Sequence, residues 1–288
     1  QPSGNLEISR SAVSSNTQEA KICAGPMTSA RVPPTSAAMC TYILRYDPDS
    51  DWPFLIAGNR DEMRARPWLP PARHWDDRED VVAGQDTLAG GTWLGLNDTG
   101  MVAAILNKKK ALGPAPNKRS RGEIVLDALD HADAVDSAKA MAEANGDAYR
   151  PFNLIVADNR DAFWIAHEGD AQIYVRPIEP GVHLISHNDL DTGLRAEAHL
   201  ARATAGVPAG DLSDPKSWSE WVDLLSERTT PDAEYWETAL NVDVPEMGFG
   251  TVSSALLALP TMQDEDKSPI FLFAEGPGDR AAYEPVKT

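Results

Sequence analysis

The chain has 288 residues, 42% of them apolar, which suits one substantial core or two small domains. Acidic residues outnumber basic ones by 44 to 26, and the resulting formal charge of −18 argues against a nucleic-acid partner, whose phosphates it would repel. No apolar run reaches the roughly 18 residues of a membrane span. The two cysteines, Cys23 and Cys40, make no disulfide framework, so a soluble protein of the reducing cytoplasm is expected.

Residues 1–38 are rich in Ser, Ala, Pro, Thr and Gln and show neither a helical nor a strand period, so disorder is expected there. Because Met27 and Met39 are both possible starts, this segment reads as an upstream extension absent from the mature protein, and it has no h-region of secretory length. A single domain is expected over 39–288.

From Cys40 the texture changes to short apolar runs separated by turn residues. Tyr42 to Tyr46, Phe54 to Ala57, Thr92 to Leu96 and Met101 to Leu106 read as strands, the last two joined through Asn97-Asp98-Thr99-Gly100. Ser120-Arg121-Gly122-Glu123 has the form of a capping box and opens a helix, and Val135 to Ala144 reads as a second. Strands return at Phe152 to Ala157, Ala162 to His167, Gln172 to Val175 and His183 to Ser186. Arg195 to Ala205 and Ser217 to Glu227 then read as helices, and Thr251 to Leu259 and Ile270 to Ala274 as closing strands. Strands and helices in blocks, without strict alternation, predict a layered α+β arrangement with largely antiparallel sheets.

Two local signals carry chemistry. Cys40 follows Met39, and removal of that methionine would give one residue both a thiol and a free α-amine able to act as the thiol's base. Most free cysteines, in contrast, are small buried apolar residues. At the end of the next strand stands Gly58-Asn59-Arg60-Asp61-Glu62, where Arg60 would favour a thiolate and Asp61 could orient an amine; a charged turn has the same composition. The basic run Lys108-Lys109-Lys110, with Lys118, Arg119 and Arg121, is compatible with an anionic substrate group, although a solvated loop is the commoner cause of such runs. His183 and His187 are spaced too far along a strand to share a metal, and no metal or cofactor is implied. Neither phosphate-loop pattern is present around Gly90-Gly91, and the eight tryptophans read as core.

With these motifs in order, the sequence resembles the NRDE family, the group that includes transport and Golgi organisation protein 2. The resemblance rests on Met39-Cys40, Asn59-Arg60-Asp61-Glu62, Ala89 to Gly95, Ser120-Arg121-Gly122, Phe152 to Ile155, His183 to Asn188 and Leu190-Asp191-Thr192. It implies a four-layer αββα sandwich of the N-terminal-nucleophile hydrolase type, similar to penicillin V acylase and bile salt hydrolase. It further implies Cys40 as nucleophile, Asn107 and Asn188 as oxyanion or amine partners, and Arg60 and Asp61 beside them. The family's Gly-Thr-Arg-Ser near the C-terminus is Gly250-Thr251-Val252-Ser253 here, so one cation is missing.

Two functions follow as expectations. The first is hydrolysis of a non-peptide amide bond in a small molecule. The second is a non-catalytic carrier of an apolar molecule (a lipid, an acyl thioester or haem) on the same fold. The partner expected in either case is a small molecule, with neither nucleic acid nor a membrane span involved.

Overall fold

Side chains alternate between the two faces of a strand, so a strand buried on both faces needs a cover on each. The computed structural model, which describes residues 40–109, 111, 115–228, 238–264 and 266–288, shows how both covers are supplied. The expectations placed on residues 1–38, Met39 and Lys110 lie outside the described residues.

The chain begins with β1 (Thr41–Tyr46), β2 (Phe54–Met63), β3 (Trp68–Ala72), β4 (Val81–Asp86), β5 (Leu94–Asn97) and β6 (Val102–Asn107). Helices α1 (Arg121–Leu129) and α2 (Ala134–Glu143) follow, then β7 (Phe152–Ala157), β8 (Ala162–His167), β9 (Ile173–Pro177) and β10 (Gly181–Ile185). Next come α3 (Leu194–Ala205) and α4 (Ser219–Leu225), and β11 (Asp243–Val244), β12 (Phe249–Leu259), β13 (Ile270–Ala274) and β14 (Glu284–Pro285) close the chain.

The strands form two antiparallel sheets among the described residues. One runs β10-β1-β2-β12-β13-β14 with β11 beside β12, and the other is the meander β3 to β9. Tyr42, Leu44 and Ile56 of the first sheet pack against Leu94, Ala104 and Ile155 of the second. The alternate residues Ile43, Leu55 and Ala57 face Ala196, Trp218 and Trp221 beneath α3 and α4. On the other side Ala103 and Val156 meet Val125, Leu129 and Met141 of α1 and α2. The order of layers is therefore αββα, as the resemblance implied.

Several elements differ from the sequence reading. Strands β3 and β4 were not expected. The first contains Pro70 and Pro71, and it forms because it is the sheet edge, where a missing amide costs no ladder bond. Strand β5 starts at Leu94 instead of Thr92, because the Thr92 amide donates to the Gly122 carbonyl at 3.1 Å. The helix expected over Ser217 to Glu227 is a 3₁₀ turn over Pro215–Trp218 leading into α4, and β9 and β10 are shifted by one or two residues.

The capping box is present as read: the Gly122 amide donates to Ser120 Oγ at 3.2 Å, and the Ser120 amide donates to the Glu123 carboxylate at 3.3 Å. Gly91 and Gly122 pack backbone to backbone, since a Cβ on Gly91 would lie 2.3 Å from the Gly122 carbonyl carbon. Two of the motifs, distant in sequence, are thus one contact.

Candidate active site

The antiparallel register of β1 and β2 pairs Thr41 with Asn59. One further step brings Cys40 alongside Arg60, so the polar end of β2 lies beside the cysteine because the two strands form a hairpin. On the other side of β2, Thr251 pairs with Asp61 and Ser253 with Arg60, with a bulge at Val252, the position where the family carries its arginine. These strands are central to their sheet.

Alternation then divides the motif between two faces. Arg60, like Tyr42, points toward the second sheet: its guanidinium lies over the Trp93 ring at 4.2 Å, and its Nη2 is 3.8 Å from Glu62 and 3.9 Å from Asp86. Asn59 and Asp61 point toward the helices. Asn59 donates to the carbonyls of Leu225 (2.8 Å) and Leu240 (2.9 Å) and accepts from Ser254 Oγ (2.7 Å), so this motif residue ties the sheet to the segment after α4.

Asp61 is buried. Thr251 Oγ1 donates to its Oδ1 at 2.6 Å and itself accepts from the Val242 amide at 3.0 Å, while Oδ2 is buried without a hydrogen bond. Burial raises this carboxyl to about 6, against the opposing pull of Arg195, the Thr251 hydroxyl and Arg60. Arg195, from the first turn of α3, is fully buried and donates to Thr41 Oγ1 at 2.5 Å. The sequence reading assigned Arg195 only to a helix, and nothing in its local pattern marks it; its place depends on how α3 lies on the sheet.

Cys40 is half-buried and packs at the edge of the inter-sheet core. The Asp61 amide donates to its Sγ at 3.4 Å, and the thiol lies 3.8 Å from the Asp61 carbonyl. Arg60 acts on the thiol in the expected direction, favouring the thiolate, but it is outweighed. Burial first and the Asp61 charge second push the thiol up to about 12, and the Asp61 amide and Arg60 only partly offset them. The nitrogen of Cys40 is here a peptide nitrogen joined to Met39, so it is not a base.

The two asparagines differ in placement. Asn107 ends β6 opposite Phe152, whose ring packs under the helices, so the pleat gives Asn107 the helix side of the second sheet. Asn188 follows β10, which runs beside β1 with Tyr42 opposite Ile185, so its loop leaves the sheet next to Cys40. The Asn188 side chain lies over Gly193, at φ +84, where a Cβ would be 2.0 Å from its Nδ2; only glycine fits.

Asn153 holds that loop in place. Its Nδ2 donates to the carbonyls of Ser186 (3.0 Å) and Asn188 (2.7 Å), and its Oδ1 accepts from Trp164 Nε1 (3.1 Å). The residue belongs to a recognised motif, yet only the structure shows what it positions.

A cleft of about 350 Å³ opens beside this loop, lined by Lys108, Lys109, Glu168, His187, Asn188 and Asp189. Lys108 is buried and pairs with both Glu168 and Asp189, the latter at 2.6 Å. His187 makes no hydrogen bond from its ring to any described residue, and burial with Arg195 and Lys109 nearby lowers it to about 4, so the imidazole is neutral. Arg121 donates through Nη1 to the carbonyls of Ala111 (2.6 Å) and Pro151 (3.1 Å). Burial, with Arg150 close by, lowers Arg121 to about 10, while Cys40 and Glu62 are near enough to act in the opposite sense.

Among the described residues no group of three or more His, Cys, Asp or Glu side chains converges as a metal site, and no helix is long and apolar enough to cross a membrane.

Comparison with known proteins places this geometry. Residues 39–265 match the family model described as Transport and Golgi organisation 2. The chain is 33% identical over 175 residues to the Transport and Golgi organization protein 2 homolog of Bos taurus, covering 54% of this chain and 60% of that one. It is 31% identical over 173 residues to the Homo sapiens homolog, with the same coverage of 54% and 60%. The matched stretch therefore spans less than two thirds of the length of these relatives.

Among solved structures, the Caenorhabditis elegans N-acylethanolamine-hydrolyzing acid amidase ortholog superposes with a TM-score of 0.50 at 14% identity, covering 79% of this chain and 95% of that chain. At that identity the likeness is one of fold. The sandwich is of the N-terminal-nucleophile hydrolase type.

Proposed function

Because the chain belongs to the Transport and Golgi organisation 2 family and has a fold found in amide-cleaving enzymes, we propose that it is an N-terminal-nucleophile amidohydrolase centred on Cys40. The observation that carries this reading is the thiol of Cys40 resting on the main chain of Asp61, whose buried carboxyl keeps one oxygen unbonded. A free α-amine at Cys40 is the missing group, and removal of Met39 and everything before it would supply it.

In the proposed reaction the Cys40 thiol attacks the amide carbonyl carbon and its proton passes to the α-amine. The carbonyl electrons move to oxygen, and the Asn188 amide donates to that oxyanion; Asn107 does so only if the chain at the end of β6 turns it away from the helix side. The C–N bond then breaks, the ammonium returns its proton to the leaving amine, and a thioester remains on Cys40. Water attacks the thioester with the same amine as base, releasing a carboxylic acid and restoring the thiol. Arg60 and Asp61 act on charge: the one stabilises anionic sulfur, the other the ammonium.

The carrier reading is weaker, because the cleft beside Asn188 is lined by charged and hydrogen-bonding side chains, a poor surface for a lipid chain or haem. The test is N-terminal sequencing of protein made in its native host, together with labelling by a thiol-directed amide mimic. Cys40 should be N-terminal and should carry the label. Intact mass showing residues 1–38 still attached to fully active protein would end the proposal.

A further inference from the structure

A cation in the first turn of a helix is opposed by the helix dipole, and a buried cation by the loss of water, so an arginine that is both needs compensation from another element. Arg195 is such a residue: it is the second residue of α3 and 1% exposed. Its Nη1 donates to Thr41 Oγ1 at 2.5 Å, and Thr41 is itself fully buried. Thr41 follows Cys40 directly and opens β1, and its side chain shares the helix face with Ile43 and with Asn59, its partner across the register. Asp61 lies two residues beyond Asn59 on that face. It is a diagonal neighbour of Thr41 at roughly 7–8 Å, within reach of a side chain as long as that of arginine.

Each element around Asp61 contributes differently to its charge. Arg60 and Glu62 flank it on β2 with opposite signs, and Arg60 points to the other face of the sheet. From β12 comes the Thr251 hydroxyl, and the bulge at Val252 adds no charge. The Cys40 thiol is protonated at neutral pH, and His187, close to Arg195, is neutral. Arg195, from α3, exerts the largest pull toward the ionised carboxylate, and Asp61 in turn is the first of the groups that favour the charged guanidinium.

We propose that Arg195 is a positioning residue for the chemistry of Cys40: it anchors Thr41, and so the residue before it, and it balances the Asp61 carboxylate from the helix side. This role rests on the amidohydrolase reading, in which the ammonium formed at Cys40 needs Asp61 as an anion. Removal of everything before Cys40 makes the nucleophile a chain end, and the Thr41 hydrogen bond then holds a terminus that would otherwise fray. Without the guanidinium, burial acts on Asp61 with less opposition, and the carboxyl stays protonated to higher pH.

The test uses the full chain as wild type, Arg195→Gln, Asp61→Asn and the double variant, each unfolded by urea from pH 4.5 to 8.5. A purely structural arginine would cost the same at every pH and with either residue at position 61. Instead, at pH 8 Arg195→Gln should cost about tenfold more in the folding constant with Asp61 present than with Asn, from a carboxyl shift of roughly one unit. At pH 4.5, where the carboxyl is protonated in the folded chain, the two costs should agree. The fall in stability with rising pH, which ends near pH 6 in the wild type, should extend to about pH 7 in Arg195→Gln. Arg195→Lys, which keeps the charge, should keep most of the wild-type pH dependence.

An Arg195→Gln chain that is unfolded at pH 8 while the double variant is folded supports the coupling in coarser form. Equal costs in both backgrounds, failure of both Arg195→Gln chains to fold at every pH, or a lysine variant that behaves like the glutamine one overturns the proposal. Its failure is separable from failure of the hydrolase reading. Active native-host protein in which Cys40 is not N-terminal ends that reading and leaves the measured coupling of Arg195 and Asp61 in place, whereas equal costs end the coupling and leave the trimming and labelling of Cys40 untouched.

Discussion

Alkylation of Cys40 in the chain that retains residues upstream of it should be far slower than that of an ordinary thiol. Its thiol is raised from 9.0 to about 12, which lowers the thiolate fraction at neutral pH by roughly 10³. The more basic thiolate is intrinsically more nucleophilic, with a Brønsted slope of about 0.4–0.5, which restores a factor of roughly 20 to 30. The expected net deficit is therefore roughly 30- to 50-fold against N-acetylcysteine, before any steric contribution. Iodoacetamide labelling read by peptide mass spectrometry at pH 7.4 measures it, and the rate should rise about tenfold per pH unit through pH 10. After removal of everything before Cys40, the new ammonium beside the sulfur should lower the thiol again and raise the rate at least about tenfold. Labelling of the untrimmed chain as fast as N-acetylcysteine would show that burial and Asp61 do not govern this sulfur.

Asp61 binds its proton more tightly folded than unfolded, so between 3.8 and about 6 the native state holds more protons and stability falls as pH rises; the rise corresponds to roughly 3 kcal/mol. Urea denaturation from pH 4 to 7 should show this fall in the wild type and its absence in Asp61→Asn, and parallel curves would contradict the assignment. Asn59→Ala strips partners from two buried carbonyls and the Ser254 hydroxyl and should cost about 2–4 kcal/mol by chemical denaturation. Gly91→Ala places a Cβ 2.3 Å from the Gly122 backbone and should cost about 1–3 kcal/mol, read as a lowered thermal midpoint, with no loss if the two segments separate freely.

Much of this site was legible because it is local. Cys40 and Arg60 come together through one hairpin, and a strand followed by Asn59-Arg60-Asp61-Glu62 announces a polar end on a buried strand. The capping box at Ser120 and the turn at Asn97, whose Oδ1 accepts from the Thr99 amide (3.2 Å) and the Met101 amide (2.9 Å), were equally readable, because each is satisfied within a few residues. Strand β3 was not, since Pro70 and Pro71 argue against a strand until its edge position is known.

The sequence by itself determined the family, the layered α+β class, and the pairing of Cys40 with the end of β2, because periodicity and hairpin register are short-range properties of the backbone. Only the tertiary structure decided the charge state and company of those residues. Arg195 reaches Thr41 from 154 positions away because α3 lies on the sheet, and Asn153 holds the Asn188 loop because two sheets meet. The Cys40 thiol stays protonated because burial, a property of the whole packed molecule, outweighs the arginine that stands next to it.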